Sequence, residues 1–380
     1  MFVLSEEQKL IRSSVSRYVA EQFSFHNRQR TLGSEEGYDR DQWCKFAELG
    51  WLGMAIPEEH GGYGGSLLDI ALVCQEFARA LLISPYLTTV GVARAALVLC
   101  ASSPQKARYL RQIAEGRAII ACAFNEQENP DSPIQTRAIQ CGNEYVLNGC
   151  KRLVRFGHQA DCLIASALLN EEVTLFIVPS HSRGVIKRPY KMYDGGRAAD
   201  IELSDVTLGQ DLVLPGGTGQ NIATVQDIET ALLCAEASMM MWEIHHQTLN
   251  YMKQREQFGQ TLSQMPVLQH RIVDLYVRCQ LAQSMAESAV LAADGNLPAT
   301  KRMREISAAK VHISEQGRLV GKEGIQLHGG MGMTDDMAVG HYLKRITGFA
   351  QMDGNVNWHR DRYGRLDPFQ PNEPPVQPGN

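Results

Sequence analysis

The chain has no long apolar run. Nowhere among its 380 residues does a stretch approach the roughly 18 consecutive apolar residues needed to cross a bilayer, so no transmembrane helix is expected. The opening Met-Phe-Val-Leu-Ser-Glu-Glu lacks a basic segment followed by an apolar core, and no signal peptide is expected. Basic charge is not in excess. Lys and Arg number 37 against 42 Asp and Glu, a net charge of -5, which argues against nucleic acid or an anionic membrane as partner. There is no CxxC pair. The nine cysteines are scattered singly, so neither a disulfide framework nor a zinc or other metal site is expected, and the thiols read as reduced core residues of a cytoplasmic protein. Nor is there an internal repeat.

What is present suits a large globular fold. The chain is 44% hydrophobic and 21% charged, and its length allows a sizeable core with more than one domain. Ser5-Glu-Glu-Gln8 is a capping box, followed by Leu10, Ile11, Val15 and Val19 at helical spacing. A helix is expected over 41–49, ended by Gly50, then a glycine-rich loop from Gly53 to Gly65. Further helices are expected over 67–82, 88–100 and 104–115, making an all-helical block over residues 1–115. Short β-branched runs follow over 119–124, 136–140, 145–147, 152–155, 162–167, 173–178 and 200–206. Turn residues such as Asn148-Gly149 and Gly195-Gly196 separate them, so a small antiparallel sheet or barrel is expected over 116–216.

The third block, 217–366, is helical. Its clearest seam is Leu268, Ile272, Leu275, Cys279, Ala282 and Ala286. A Pro-rich tail over 367–380 is expected to be extended. A β unit between two helical blocks is an α+β arrangement, with a natural ligand cleft at the domain junction.

Four stretches in this order resemble the acyl-CoA dehydrogenase family. They are Trp43 to Gly65, Tyr145-Val-Leu-Asn-Gly-Cys-Lys151, Tyr251 to Gln260 with Gln269 beyond it, and Gln326 to Arg360. The similarity runs over residues 4–366. It implies an N-terminal helical domain, a middle β-barrel or sandwich domain and a C-terminal four-helix bundle. It also implies FAD as cofactor, an acyl-CoA thioester as substrate, the trans-2-enoyl thioester as product and electron-transfer flavoprotein as acceptor. The implied assembly is a homotetramer, or an α2β2 tetramer with a homologous subunit.

The resemblance also implies roles for residues. Asp353 stands where many members carry a catalytic Glu followed by Gly-Thr; the run here is Asp353-Gly354-Asn355, and Asp is shorter by one carbon–carbon bond, about 1.5 Å. The ordinary alternative is a helix N-cap or a turn aspartate. Glu229, 26 residues before Arg255, is where another branch places its base; the ordinary alternative is a first-turn acid on a helix opened by Asp227-Ile228-Glu229. Arg255, Gln257 and Phe258, with Gln326, Gly329 and Gly330, are expected to hold the FAD of a neighbouring subunit, the arginine on its diphosphate. Asn355 and Asn357 stand where flavin contacts are usual, and His328 is expected to pack.

The β unit departs from the pattern. Asn125-Glu-Gln-Glu-Asn-Pro-Asp-Ser132 replaces Thr-Glu-Pro-x-x-Gly-Ser, and Leu153-Val-Arg155 replaces Trp-x-Thr, leaving Arg155 to meet the flavin, a phosphate or solvent. The departures resemble the branch acting on bulky, dicarboxylic or steroid-derived acyl-CoAs. Two other readings stay open: a non-catalytic partner subunit, and a flavin oxidase or monooxygenase.

Overall fold

The computed structural model describes residues 4–366 apart from 24, 35, 128 and 296, so the expected tail over 367–380 lies outside the described residues. Six helices come first: α1 (Glu6–Gln22), α2 (Phe25–Gly33), α3 (Arg40–Glu48), α4 (Leu67–Arg79), α5 (Arg94–Cys100) and α6 (Ser103–Ala114). The capping box at Ser5 forms as read, with Gln8 as its partner. Gly50 turns the chain out of α3 at φ 78°, a conformation that suits a residue without Cβ. Leu87–Ala93, expected as plain helix, is wound as a π-helix that runs into α5, and every residue in it is buried. Such segments recur at functional sites.

Eight strands follow: β1 (Ile120–Ala123), β2 (Arg137–Cys141), β3 (Glu144–Arg155), β4 (Cys162–Leu169), β5 (Glu172–Pro179), β6 (Val185–Lys191), β7 (Arg197–Gly209) and β8 (Val213–Leu214). Their order is β6-β7-β3-β2-β4-β5-β8, with β1 also on β4. The sheet is mixed, not purely antiparallel: β1 and β2 both pair parallel to β4. The turn expected at Asn148-Gly149 is absent. β3 continues through it with a register shift against β7, and a Cβ on Gly149 would lie 2.3 Å from Thr136 Oγ1, so close packing rather than a turn explains the glycine. β6 escaped the sequence reading because Pro189 sits in it; the strand is an edge, where proline is tolerated.

Beyond the sheet, α7 (Gly219–Gln254) leads into a two-residue-per-strand hairpin, β9 (Glu256–Gln257) and β10 (Gln260–Thr261), then α8 (Pro266–Asp294) and α9 (Ala299–His328). α10 (Ala338–Phe349) and α11 (Val356–Arg365) complete the described chain. The three long helices pack on one another, α10 lies on α7 and α9, and α11 on α9. The seam read in α8 is real: Ile272, Leu275, Cys279, Ala282 and Ala286 are all buried. Met239, Met240 and Met241 are core residues of α7. α4 and the π segment pack against α7, and the π segment also against β1. The ends of β1 and β3, α7 and the α10–α11 turn therefore converge on one place.

Candidate functional site

The turn between α10 and α11 is held from below. Lys310, fully buried on α9, donates from Nζ to the carbonyls of Phe349 at 2.5 Å and Met352 at 2.8 Å. Those carbonyls lie at the C-terminal end of α10 and just before Asp353; that of Phe349 also takes the Met352 N–H at 3.2 Å. His359 of α11, also buried, lies 3.0 Å from the Asp353 carbonyl through Nε2 and 3.1 Å from Ser307 Oγ through Nδ1. Burial drives His359 down to about 3, so the ring is neutral. The carbonyl can only accept, so Nε2–H donates to it, and Nδ1 accepts from the Ser307 hydroxyl.

These contacts fix Asp353 at φ 51°, a left-handed conformation uncommon outside glycine. Asp353 is not the N-cap of α11. That place belongs to Asn355, whose side-chain oxygen accepts the N–H groups of Asn357 and Trp358. The Asp353 carboxyl is thus left free of capping duty.

Glu229 is not a first-turn acid. α7 begins at Gly219 behind the cap Thr218, so Glu229 lies deep in the helix. It lines the same pocket as Asp353, together with Thr88, Asn125, Arg155 and Gln226. Arg155 Nη1 approaches Glu229 Oε1 to 3.7 Å. Arg155 is therefore not merely solvated; its side chain is 18% exposed and turned to the acids.

The two carboxyls cannot both ionise freely. Glu229 is pushed up to about 8 by burial first and by the charge of Asp353 second, with Arg155 and Lys310 opposing. Asp353 is raised by burial, against which Lys310, Arg155 and a hydrogen bond from Asn125 all pull it down. Burial and the charge of Asp353 thus favour the protonated form of Glu229, while Lys310, Arg155 and Asn125 favour the ionised form of Asp353.

This has a stability consequence. A carboxyl raised from 4.5 to about 8 favours the native state fully below its unfolded value, and that favour is lost as pH climbs towards 8. Glu229→Gln has no such loss. Its stability gain over wild type should therefore widen from pH 5 to pH 8 and level off above, bounded at on the order of 5 kcal/mol by about 1.36 kcal/mol for each tenfold change in acidity. Urea unfolding across that pH range checks it, and a gap that is constant with pH contradicts it.

The pocket opens into a wider cleft of about 600 Å³, walled by Leu153, Tyr190, Asp353, Gly354 and Asn355. Five residues line both: Asn125, Arg152, Leu153, Met352 and Asp353. The loop carrying Asn125 is fastened by a buried ion pair, Lys151 Nζ to Glu126 Oε1 at 2.5 Å, and Glu126 also takes the N–H groups of Gln135 and Thr136.

The other expected residues form a second group. Arg255 caps the C-terminus of α7 and is exposed, as are Gln257 and Phe258 on the hairpin, Phe258 at 92%. Gln326, Gly329 and Gly330 are exposed at the end of α9, and a Cβ on either glycine would meet nothing within 4 Å. His328 is packed, as expected. It stacks on Tyr251 with ring centroids 4.6 Å apart, joining the ends of α7 and α9 and bringing this second group to one corner. None of the six lines the cleft or pocket of Asp353. Asn357 lies on the far side of the turn, beside Glu315 and Arg318.

The residues present fit FAD. Leu153 and the α10–α11 turn line the cleft beside Asp353, and Asn355 keeps its amide nitrogen without a partner among the described residues. The open glycine corner and the exposed Arg255 suit a diphosphate approached from outside the subunit.

Lys310, His359, Asn125, Thr88 and Gln226 were not marked as site residues in the sequence. Only Lys310 left a signal: it shares a helical stripe with Ile306, Ala309 and Ile313, a lysine on an apolar face.

The family models for the acyl-CoA dehydrogenase N-terminal and C-terminal domains match residues 5–117 and 219–365. Acyl-CoA dehydrogenase IpdE2 of Mycobacterium tuberculosis is 30% identical over 348 residues, covering 91% of this chain and 93% of its own. Among solved structures, the acyl-CoA dehydrogenase of Geobacillus kaustophilus superposes with a TM-score of 0.88 at 20% identity, over 96% of this chain and 98% of its own. The steroid ACAD Tcur3481-Tcur3483 does so at 0.86 and 23% identity, over 95% and 97%. The chain belongs to the acyl-CoA dehydrogenase family and is an FAD-dependent oxidoreductase.

Proposed function

We propose that this chain dehydrogenates the α,β bond of an acyl-CoA thioester to the trans-2-enoyl-CoA, with Asp353 as the base for the α proton. The observation that carries this is the single pocket in which Asp353 and Glu229 meet, with cations placed to keep one of them ionised. FAD, when bound, supplies the acceptor for the β hydrogen. The chain's own residues do the rest. Asn125 donates to the Asp353 carboxyl, and Lys310 and His359 hold its backbone. Glu229, protonated, adds no second charge to repel the first.

A proton next to a thioester is weakly acidic, so the base must be ionised yet poorly hydrated. A recessed Asp with two nearby cations meets both needs. The acyl chain we assign is bulky or functionalised, since the β-domain loops depart from the common pattern. The steroid ACAD among its structural neighbours is consistent with that class.

Arg255, Gln257, Phe258, Gln326, Gly329 and Gly330 are assigned to the FAD of a neighbouring subunit, because they are exposed at a corner apart from the cleft. Asn355 is assigned to the flavin of its own cleft, and Asn357 to the same cofactor from the back of the turn. Val273, Val277, Leu281 and Leu291 expose an apolar stripe along α8, which supports association into a homotetramer or an α2β2 tetramer. No described helix is long and apolar enough to cross a membrane, and we place the enzyme in the cytoplasm with electron-transfer flavoprotein as acceptor.

Anaerobic addition of a panel of acyl-CoAs to the yellow protein tests the reading. At least one bulky or oxygenated thioester should bleach the flavin, with slow recolouring by O₂. A colourless protein that gains flavin only with a homologous subunit would mark it as a partner chain instead. Fast reoxidation by O₂ would mark an oxidase.

A further inference from the structure

The pocket shared by Glu229 and Asp353 holds two hydrogen-bond donors that the protein does not use. Thr88 sits on the π segment at 5% exposure, and its hydroxyl has no partner among the described residues. Arg155 enters from the end of β3. Its Nη1 is buried without a hydrogen bond, since 3.7 Å to Glu229 Oε1 is too long for one. A buried donor without an acceptor is costly, and native proteins rarely tolerate it without a water or ligand. Here two such donors line one cavity.

The cavity is small, about 30 Å³. By that measure a water needs about 10–15 Å³, so the cavity has room for an oxygen-bearing group. It continues from the wide cleft through five shared residues, Asp353 among them, so whatever occupies the cleft can extend into it. Arg155 does not line the wider cleft, so its guanidinium is not spent on what fills that space.

Charge favours an acceptor there. The titratable groups lining the pocket are Arg152, Arg155, Cys122, Asp353 and Glu229, and Lys310 acts on both acids from α9. Arg152 is paired with Asp200, so with Glu229 protonated Arg155 and Lys310 outnumber Asp353 by one charge. A plain hydrocarbon chain would seal both donors away unpaired.

We propose that Thr88 and Arg155 form a subsite for an acceptor oxygen, ketone or carboxylate, carried on the acyl chain of the CoA thioester, so that oxygenated chains are selected over hydrocarbon ones. This rests on the pocket being the acyl end of the dehydrogenation site. The Thr88 hydroxyl and an Arg155 N–H both donate to that oxygen. Val92 and Phe124 give the pocket its apolar wall.

The test is calorimetric binding of unreactive product thioesters to the holoenzyme. The probes are trans-2-octenoyl-CoA, its 4-, 5- and 6-oxo derivatives, and trans-2-hexenedioyl-CoA. At least one oxygenated probe should bind wild type about tenfold or more tightly than octenoyl-CoA. Thr88→Val, nearly the same shape, should remove about tenfold of that preference and leave octenoyl-CoA affinity within about twofold. Arg155→Met should remove more, and most for the carboxylate probe. Equal binding of all probes by wild type, or an unchanged preference in Thr88→Val, overturns the subsite and leaves the donors to a structural water. Failure of every thioester to bind overturns the dehydrogenation reading as well. Because the probes do not turn over, the two failures are distinct.

Discussion

Replacing Asp353 with asparagine should slow reduction of the flavin by acyl-CoA about 10²- to 10⁴-fold, the usual contribution of a positioned base. Glu229→Gln should stay within an order of magnitude of wild type. The asymmetry follows from the pocket. Asp353 has Lys310, Arg155 and Asn125 drawing its carboxyl down, while Glu229 is lifted to about 8 by burial and by Asp353 itself. Only an ionised group can take a proton. Asparagine preserves the turn, because Lys310 and His359 grip main-chain carbonyls and not the carboxyl. A loss of rate in Asp353→Asn is therefore a loss of chemistry. Anaerobic stopped-flow at pH 7 measures it, and near-wild-type bleaching by Asp353→Asn together with a dead Glu229→Gln would reverse the assignment.

Lys310→Met should be the most destabilising substitution at the site, by about 1–3 kcal/mol. The buried Met352 carbonyl loses the Lys310 donor, at about 1–3 kcal/mol when left unmet, while the Phe349 carbonyl keeps the Met352 N–H at 3.2 Å. Relief of a buried cation offsets part of that; burial already pulls Lys310 down to about 8. The variant should also move the chemistry. Lys310 is the first among the groups lowering the Asp353 carboxyl, so its removal raises that carboxyl and shifts the acid limb of kcat/KM to higher pH. Denaturant unfolding reads the first effect and a pH profile the second. A destabilised variant with an unshifted profile would reduce Lys310 to a structural prop.

Much of this molecule is legible as periodicity. The seam of α8 and the capping box at Ser5 are local patterns, and both form as written. Non-local facts were hidden. The parallel pairing of β1 and β2 with β4 depends on where distant strands meet, which turn residues do not report. Gly149 looks like a turn in sequence, yet it is a close approach to Thr136. The site divides in the same way. Asp353 and Glu229 were both nominated by their surroundings in the chain, but only the fold brings residues 124 positions apart into one pocket. Thr88 and Asn125 carry no motif, and their part comes from tertiary placement alone. Arg155 was noticed because it replaces a small residue, and the fold turns it towards the acids rather than towards solvent.

One measurement bears most directly on the claim that Asp353 removes the α proton. An acyl-CoA carrying deuterium at both α positions is mixed anaerobically with wild-type and Asp353→Asn holoenzyme, and the loss of flavin absorbance is followed. Deuterium should slow the wild type, and the variant should not bleach on that timescale with either isotope. Bleaching of Asp353→Asn at the wild-type rate, with the same isotope effect, would show that another group takes the proton.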